Sequence, residues 1–154
     1  MSQVTHRQVV VSKSRHAELV TEQVEESSLQ PNEVRGRTLA TLVSAGTELA
    51  VYRRGDFPYH PGYAAVFRVE EVGANASSFA VGDVALTMGP HKSHQQHDVD
   101  HVVRVPDTLD SSHATFSRLM AVSMSTLTTS SARPPELVVV TGLGPVGHLA
   151  AHMF

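Results

Sequence analysis

Leu137-Val138-Val139-Val140-Thr141-Gly142-Leu143-Gly144-Pro145-Val146-Gly147-His148-Leu149-Ala150-Ala151-His152-Met153-Phe154 is the stretch that decides the fold. Leu137 to Val140 is a β-branched apolar run, which reads as a buried strand. It enters Gly142 to Gly147, a complete G-x-G-x-x-G, and an Ala/Leu-rich segment of good helix formers follows. In such a turn Gly142 permits the sharp change of direction. Gly144 lets backbone approach a pyrophosphate, and Gly147 lets helix and strand pack closely. Pro145 suits a first helical position, where its missing N–H costs nothing. The N–H groups of the helix start, with Val146 among the first residues, then face phosphate. The plainer reading is a glycine-rich turn, but the strand before and the helix after are the context that a nucleotide fingerprint demands. Gly142, Gly144, Pro145, Val146 and Gly147 are therefore the candidate cofactor-binding residues.

A dinucleotide site also needs a second strand and an acidic residue ~20 residues past the motif. Phe154 comes before that point. The reading is of a fragment: a domain over 1–133, then the start of a truncated dinucleotide-binding domain over 134–154, inactive by itself.

Composition narrows the rest. A chain of 154 residues with 41% hydrophobic content fits one solid core. A net charge of −3 gives no reason to expect nucleic acid or an anionic membrane as partner. No apolar run approaches the ~20 residues that span a bilayer. Met1 to Val20 alternates polar and apolar residues, unlike a targeting peptide, so a cytoplasmic protein is expected. There is no cysteine, so no disulfide and no thiolate metal ligand.

In chain order, Val4–Ser12, His16–Glu25, Gly36–Ser44, Tyr63–Val72, Val84–Met88 and His101–Val105 read as strands. His16–Glu25 alternates in type, which favours strand over helix. Gly46–Arg54 reads as a short helix with Thr47 as its cap. Gly89–Asp100, polar and rich in histidine, reads as a loop, and Ser112–Thr128 as a helix with Phe116, Leu119, Met120, Met124 and Leu127 at core spacing. Many short strands with turns between them predict a mostly β domain with short helices (α+β), closed or partly closed to protect its edges.

Four landmarks in order then resemble one family. Ser44-Ala45-Gly46-Thr47-Glu48-Leu49 resembles the C-G-T-D-L stretch of the medium-chain, alcohol-dehydrogenase-like oxidoreductases. Pro61 to Gly73 resembles their G-H-E-x-x-G-x-V-x-x-V-G strand, Phe79 to Val84 their F-x-x-G-D-x-V, and the terminal stretch their nucleotide fingerprint. The resemblance implies a GroES-like partly open β-barrel followed by the first βα unit of a truncated Rossmann domain. It also implies hydride transfer with NAD or NADP to or from a carbonyl, alcohol or enone of a small molecule.

The departures from the family pattern matter as much. Ala45 stands at the first zinc-binding cysteine, Tyr63 at the histidine, Ala64 at the neighbouring glutamate and Ala50 at the proton-relay histidine. Catalytic zinc takes three protein ligands and an open position, so no zinc is expected and a metal-free branch is implied. Thr47 then matches the family's hydroxyl beside nicotinamide and substrate, and Glu48 the family's acidic residue set behind the metal ligands. A Tyr63 phenol could donate to a substrate oxygen. The plainer readings are a helix cap for Thr47, a packing tyrosine for Tyr63 and a solvated first-turn glutamate for Glu48.

His91, His94, His97 and His101, with Asp98 and Asp100, could bind a metal, but their spacing matches no closed site and a solvated loop is expected. A rival reading makes the chain a stand-alone, non-catalytic β-barrel interaction module, with homo-oligomers as one outcome.

Overall fold

The computed structural model describes residues 3–25, 27–133 and 136–154. The chain divides into two compact units, Met1–Thr115 and Phe116–Phe154.

Among the described residues the first unit holds seven strands: β1 (Gln3–Lys13), β2 (His16–Glu25), β3 (Glu33–Leu42), β4 (Ala64–Val72), β5 (Val84–Thr87), β6 (His94–Asp98) and β7 (Val102–Arg104). It also holds the helices α1 (Ala45–Arg54) and α2 (Ser111–Thr115). β1 and β2 form a hairpin in which Val9 faces Leu19 and Val11 faces Ala17. The other strands form an antiparallel sheet in the order β6-β3-β4-β5-β7. The free edge of β1 is tied to the rest through backbone bonds from Val9 N–H to His91 O, 2.9 Å, and from Val11 N–H to Tyr59 O, 2.8 Å. This is the expected α+β architecture, with the curled, partly open sheet of a GroES-like domain.

β4 organises the core. Successive strand residues point to opposite faces, and Ala64, Ala65, Val66 and Phe67 are all fully buried, so both faces of β4 are covered. Phe67 packs with Val34, Val69, Phe79, Ala85 and Val102 on one side. Val66 packs with Val105 and with Ala114 of α2 on the other. Asp110 starts α2 by accepting the Ser112 and His113 N–H groups at 2.8 and 3.3 Å. Those bonds hold its carboxyl below the usual carboxylate range.

The second unit holds α3 (Ser117–Thr129) and α4 (Pro145–Met153), which pack together. Ser123 Oγ reaches the Val146 carbonyl at 3.3 Å.

Four expectations are corrected. His94–Asp98 is a strand, not loop: it pairs with β3 from Glu33↔Asp98 to Arg37↔His94. Its alternate residues Gln95 and His97 find partners on the inner face, which the polar composition concealed. The helix expected over 112–128 is two, parted at Phe116. Of its expected core stripe Leu119 is buried, whereas Phe116 and Met124 are exposed. Thr47 does not cap α1: Ser44 occupies the N-cap position and Thr47 is the helix's third residue. Finally, Leu137–Val140 is neither buried nor a strand. Leu137 is 92% and Val139 77% exposed, and no strand lies beside the run among the described residues. Pro134 and Pro135, just ahead of this run, lie outside the described residues.

Candidate functional site

Glu48 is the one residue of α1 that is buried. Its position explains why. Oε1 accepts the Ser44 N–H at 2.8 Å, closing the first turn of the helix on itself. Oε2 lies 2.9 Å from Nε2 of His91, and both side chains are only 9% exposed. A carboxylate at Oε2 fixes the neutral imidazole as the Nε2–H tautomer, because Nε2 must donate. Nδ1 is then left as an acceptor; it is buried and has no hydrogen-bond partner among the described residues. The backbone of His91 is held as firmly, its N–H donating to Pro61 O and its carbonyl accepting from Val9, both at 2.9 Å. The plainer reading of Glu48 as a solvated glutamate is thus corrected. Its pairing with His91 was not read from the sequence. A glutamate on the inner side of an otherwise exposed helix was the available signal, and its partner lies 43 residues away.

Thr47 is exposed, and its hydroxyl oxygen accepts from Ser44 Oγ at 3.2 Å. Tyr63 is half-buried and immediately precedes β4. It is not in the lining of the cavity of about 330 Å³ that holds Glu48 and His91. That cavity is walled by apolar groups, among them Val11, Val43, Leu49 and Tyr52.

The histidines do not converge. His94 and His97 lie three apart on β6, so they point to opposite faces. His94 stacks on His6, with centroids 4.9 Å apart, and its Nδ1 lies 3.0 Å from Ser93 Oγ. His97 Nε2 donates to Oε1 of the buried Gln95 at 3.1 Å. Burial, then the charges of Lys92 and His101 against that of Glu33, lowers the His97 pKa to about 4. Among the described residues no three His, Asp or Glu side chains are grouped to hold a metal ion. Ala45 offers no donor, and both Glu48 oxygens are engaged.

In the second unit the glycine turn is formed. Gly142 has φ +84°, a left-handed conformation open to glycine at no cost. A Cβ on Gly147 would strike the Gly142 carbonyl oxygen, while a Cβ on Gly144 would meet open space. Pro145 is the first residue of α4. The first-turn N–H groups of α4 lack partners within the helix. A cavity of about 520 Å³ in this unit lies elsewhere, against Leu127, Arg133, Met153 and Phe154.

No family model and no curated protein sequence matches the chain. Solved structures do match in fold. An oxidoreductase/dehydrogenase of unknown specificity from Escherichia coli has a TM-score of 0.86 at 14% identity over 97% of this chain and 55% of its own. Galactitol-1-phosphate dehydrogenase from Escherichia coli has a TM-score of 0.84 at 14% identity, over 96% and 51%. CAD from Helicobacter pylori, complexed with NADP(H), has 0.82 at 16% identity, over 99% and 56%. The chain has the fold of these proteins and spans about half the length of the structures it matches.

Proposed function

We propose that the chain is the N-terminal part of a cytoplasmic, NAD(P)-dependent oxidoreductase of the medium-chain type that works on a small molecule without zinc. The observation that carries this reading is the turn at Gly142 to Gly147. Its left-handed first glycine and its last glycine, seated on the first one's carbonyl, are what a nucleotide fingerprint requires and what an ordinary loop does not. The likeness in fold to an NADP(H)-bound protein supports it. The domain division would follow the change of role along the chain, 1–133 on the substrate side and 134–154 opening the nucleotide domain.

In this reading Gly142, Gly144, Pro145, Val146 and Gly147 hold the pyrophosphate through backbone N–H groups and the helix dipole. A bound nicotinamide supplies or accepts the hydride. The donor set around Ala45 and Tyr63 does not fit a catalytic zinc, which needs three ligands, so the substrate oxygen must be held by hydrogen-bond donors. Thr47, with an exposed hydroxyl, and Tyr63, with its phenol, are those donors. Glu48 keeps the His91 imidazole in one tautomer, a carboxylate–imidazole pair suited to carrying a proton.

The test is the whole gene product assayed with NADH and NADPH against carbonyl and enone panels, with and without a strong zinc chelator. Nucleotide oxidation that survives chelation is expected. Activity lost to the chelator and restored by zinc would remove the metal-free part of the proposal. No nucleotide oxidation and no nucleotide binding would remove all of it. The 154-residue chain alone is expected to bind either nucleotide negligibly, and tight binding in calorimetry would refute that expectation.

A further inference from the structure

β6 covers the edge of β3 only as far as Arg37. Beyond it a trough of about 440 Å³ opens between β3 and the β1–β2 hairpin. Thr5, Arg7, Val9 and Val11 alternate along β1, so they share one face, and Leu19 and Ala17 stand across from Val9 and Val11 on it. That face is cationic at the Arg7 end and apolar at the Val11 end. β3 runs through the same change, from Arg37 through Leu39 to Thr41, and Val43 follows the strand. Lys92 and His94 stand at the basic end. At the other end the trough shares Val9, Thr41 and His91 with the apolar cavity of about 330 Å³ beside Glu48.

The charges at the basic end are only weakly matched among the described residues. No Asp or Glu of the described residues lines the trough. Arg7 and Lys92 have no carboxylate partner among the described residues. Arg37 has only Glu70 at 3.7 Å, both side chains well exposed. On the hairpin, Glu22 accepts from Gln8 at 3.3 Å. Burial lowers the Lys92 pKa, so its ammonium is drawn partly out of water, and Glu25 shares with it a small neighbouring cavity without forming an ion pair among the described residues. His91, nine-tenths buried, lines both compartments with Nδ1 unpartnered.

We infer that this trough binds an organic phosphate with an apolar body, the phosphate held by Arg7, Lys92 and Arg37 and the body running past Val9 and Leu19 into the cavity beside Glu48. Three cations, of which only Arg37 has a carboxylate within reach and that one exposed, suit a dianion better than a monocarboxylate. Two apolar strands leading away from them suit a hydrocarbon body. The inference goes beyond hydride transfer and needs no nucleotide.

The probe is hexyl phosphate, titrated calorimetrically into the 154-residue chain beside hexanol, hexanoate and inorganic phosphate. Hexyl phosphate is expected to bind saturably and more weakly at high salt, with each of the other three at least about tenfold weaker. Arg7→Gln and Lys92→Gln should each weaken it about tenfold or more, because each removes one charged donor. Arg7→Lys should keep most of the affinity. Ala17→Phe, on an exposed position of β2, should block the body and leave inorganic phosphate binding unchanged; circular dichroism checks that each variant folds. Absence of binding, inorganic phosphate binding as tightly as hexyl phosphate, or indifference to both Gln variants would each overturn the inference. None of these results bears on nucleotide oxidation by the whole protein, so the two proposals fail separately.

Discussion

Ala64–Phe67 in the first unit and Leu137–Val140 in the second are both four-residue apolar runs, yet they meet opposite fates. The first is fully buried between β3 and β5. The second has Leu137 and Val139 almost wholly in solvent and forms no ladder. β-branching makes a run compatible with a strand, but a strand exists only where a neighbour takes its N–H and C=O groups and a second layer takes its side chains. The glycine turn beside the second run needs no neighbour, because its geometry lies in the φ of Gly142 and the contact of Gly147 with Gly142. It is therefore formed while the run before it is not.

The sharpest way to break that comparison is a pair of truncations. Phe67→Ala removes a fully buried ring and should cost about 3–5 kcal/mol in chemical denaturation of the first unit. Val139→Ala should stay within about 0.5 kcal/mol, the range of exposed positions. A large loss at Val139 would mean that the run is covered in solution, and the contrast between the two runs would fall.

Gly147→Ala asks whether the second unit's order is as local as the turn implies. Its Cβ would drive the Gly142 carbonyl away. Overpacking of this kind costs about 1–3 kcal/mol. Residue-resolved hydrogen exchange should show the loss in α4 and none in β3 or β4. A loss of protection reaching β4 would show that the units do not stand apart energetically. Gly144→Ala, with open space for its Cβ, is the control and should leave α4 protection close to that of the unmodified chain.

The same distinction between local and long-range information explains how much could be read from the residues. The strands β1 to β5 and β7, with α1 and α4, were legible because alternation, turns and Pro145 are local signals. β6 was not: HQQHD carries no apolar residue, and its place is earned by hydrogen bonding. Gln95, only 1% exposed, donates through Nε2 to Pro90 O at 3.0 Å and to Thr38 Oγ1 at 3.2 Å, and accepts from His97. Glu48 and the glycines were legible as candidates from motif position alone. The Glu48–His91 pair and the basic trough were not, because each joins residues far apart in the chain. Gln95→Leu tests the hydrogen-bonded core directly. It strands the Pro90 carbonyl and the His97 N–H, and should cost the first unit about 1–3 kcal/mol, with the second unit unchanged.

The smallest expected effect is a pH dependence seated in that same network. In the folded chain burial lowers the His97 pKa from 6.5 to about 4. Between those values the unfolded chain holds a proton on this imidazole that the native chain does not. Stability therefore rises with pH across the window, and falls as pH drops from about 6.5 toward 4. Below that the contribution levels off, because both states are protonated. His97→Gln keeps a donor toward Gln95 Oε1 and cannot titrate. The difference in unfolding free energy between the two proteins, followed from pH 7 downward, isolates this residue from the carboxylates that titrate nearby. His97 keeps some contact with solvent, so the slope should be shallower than full burial would give. If the difference stays flat from 6.5 to 4, His97 is solvated in the native state, and its ring adds nothing to the hold that the β3 ladder and Gln95 have on β6.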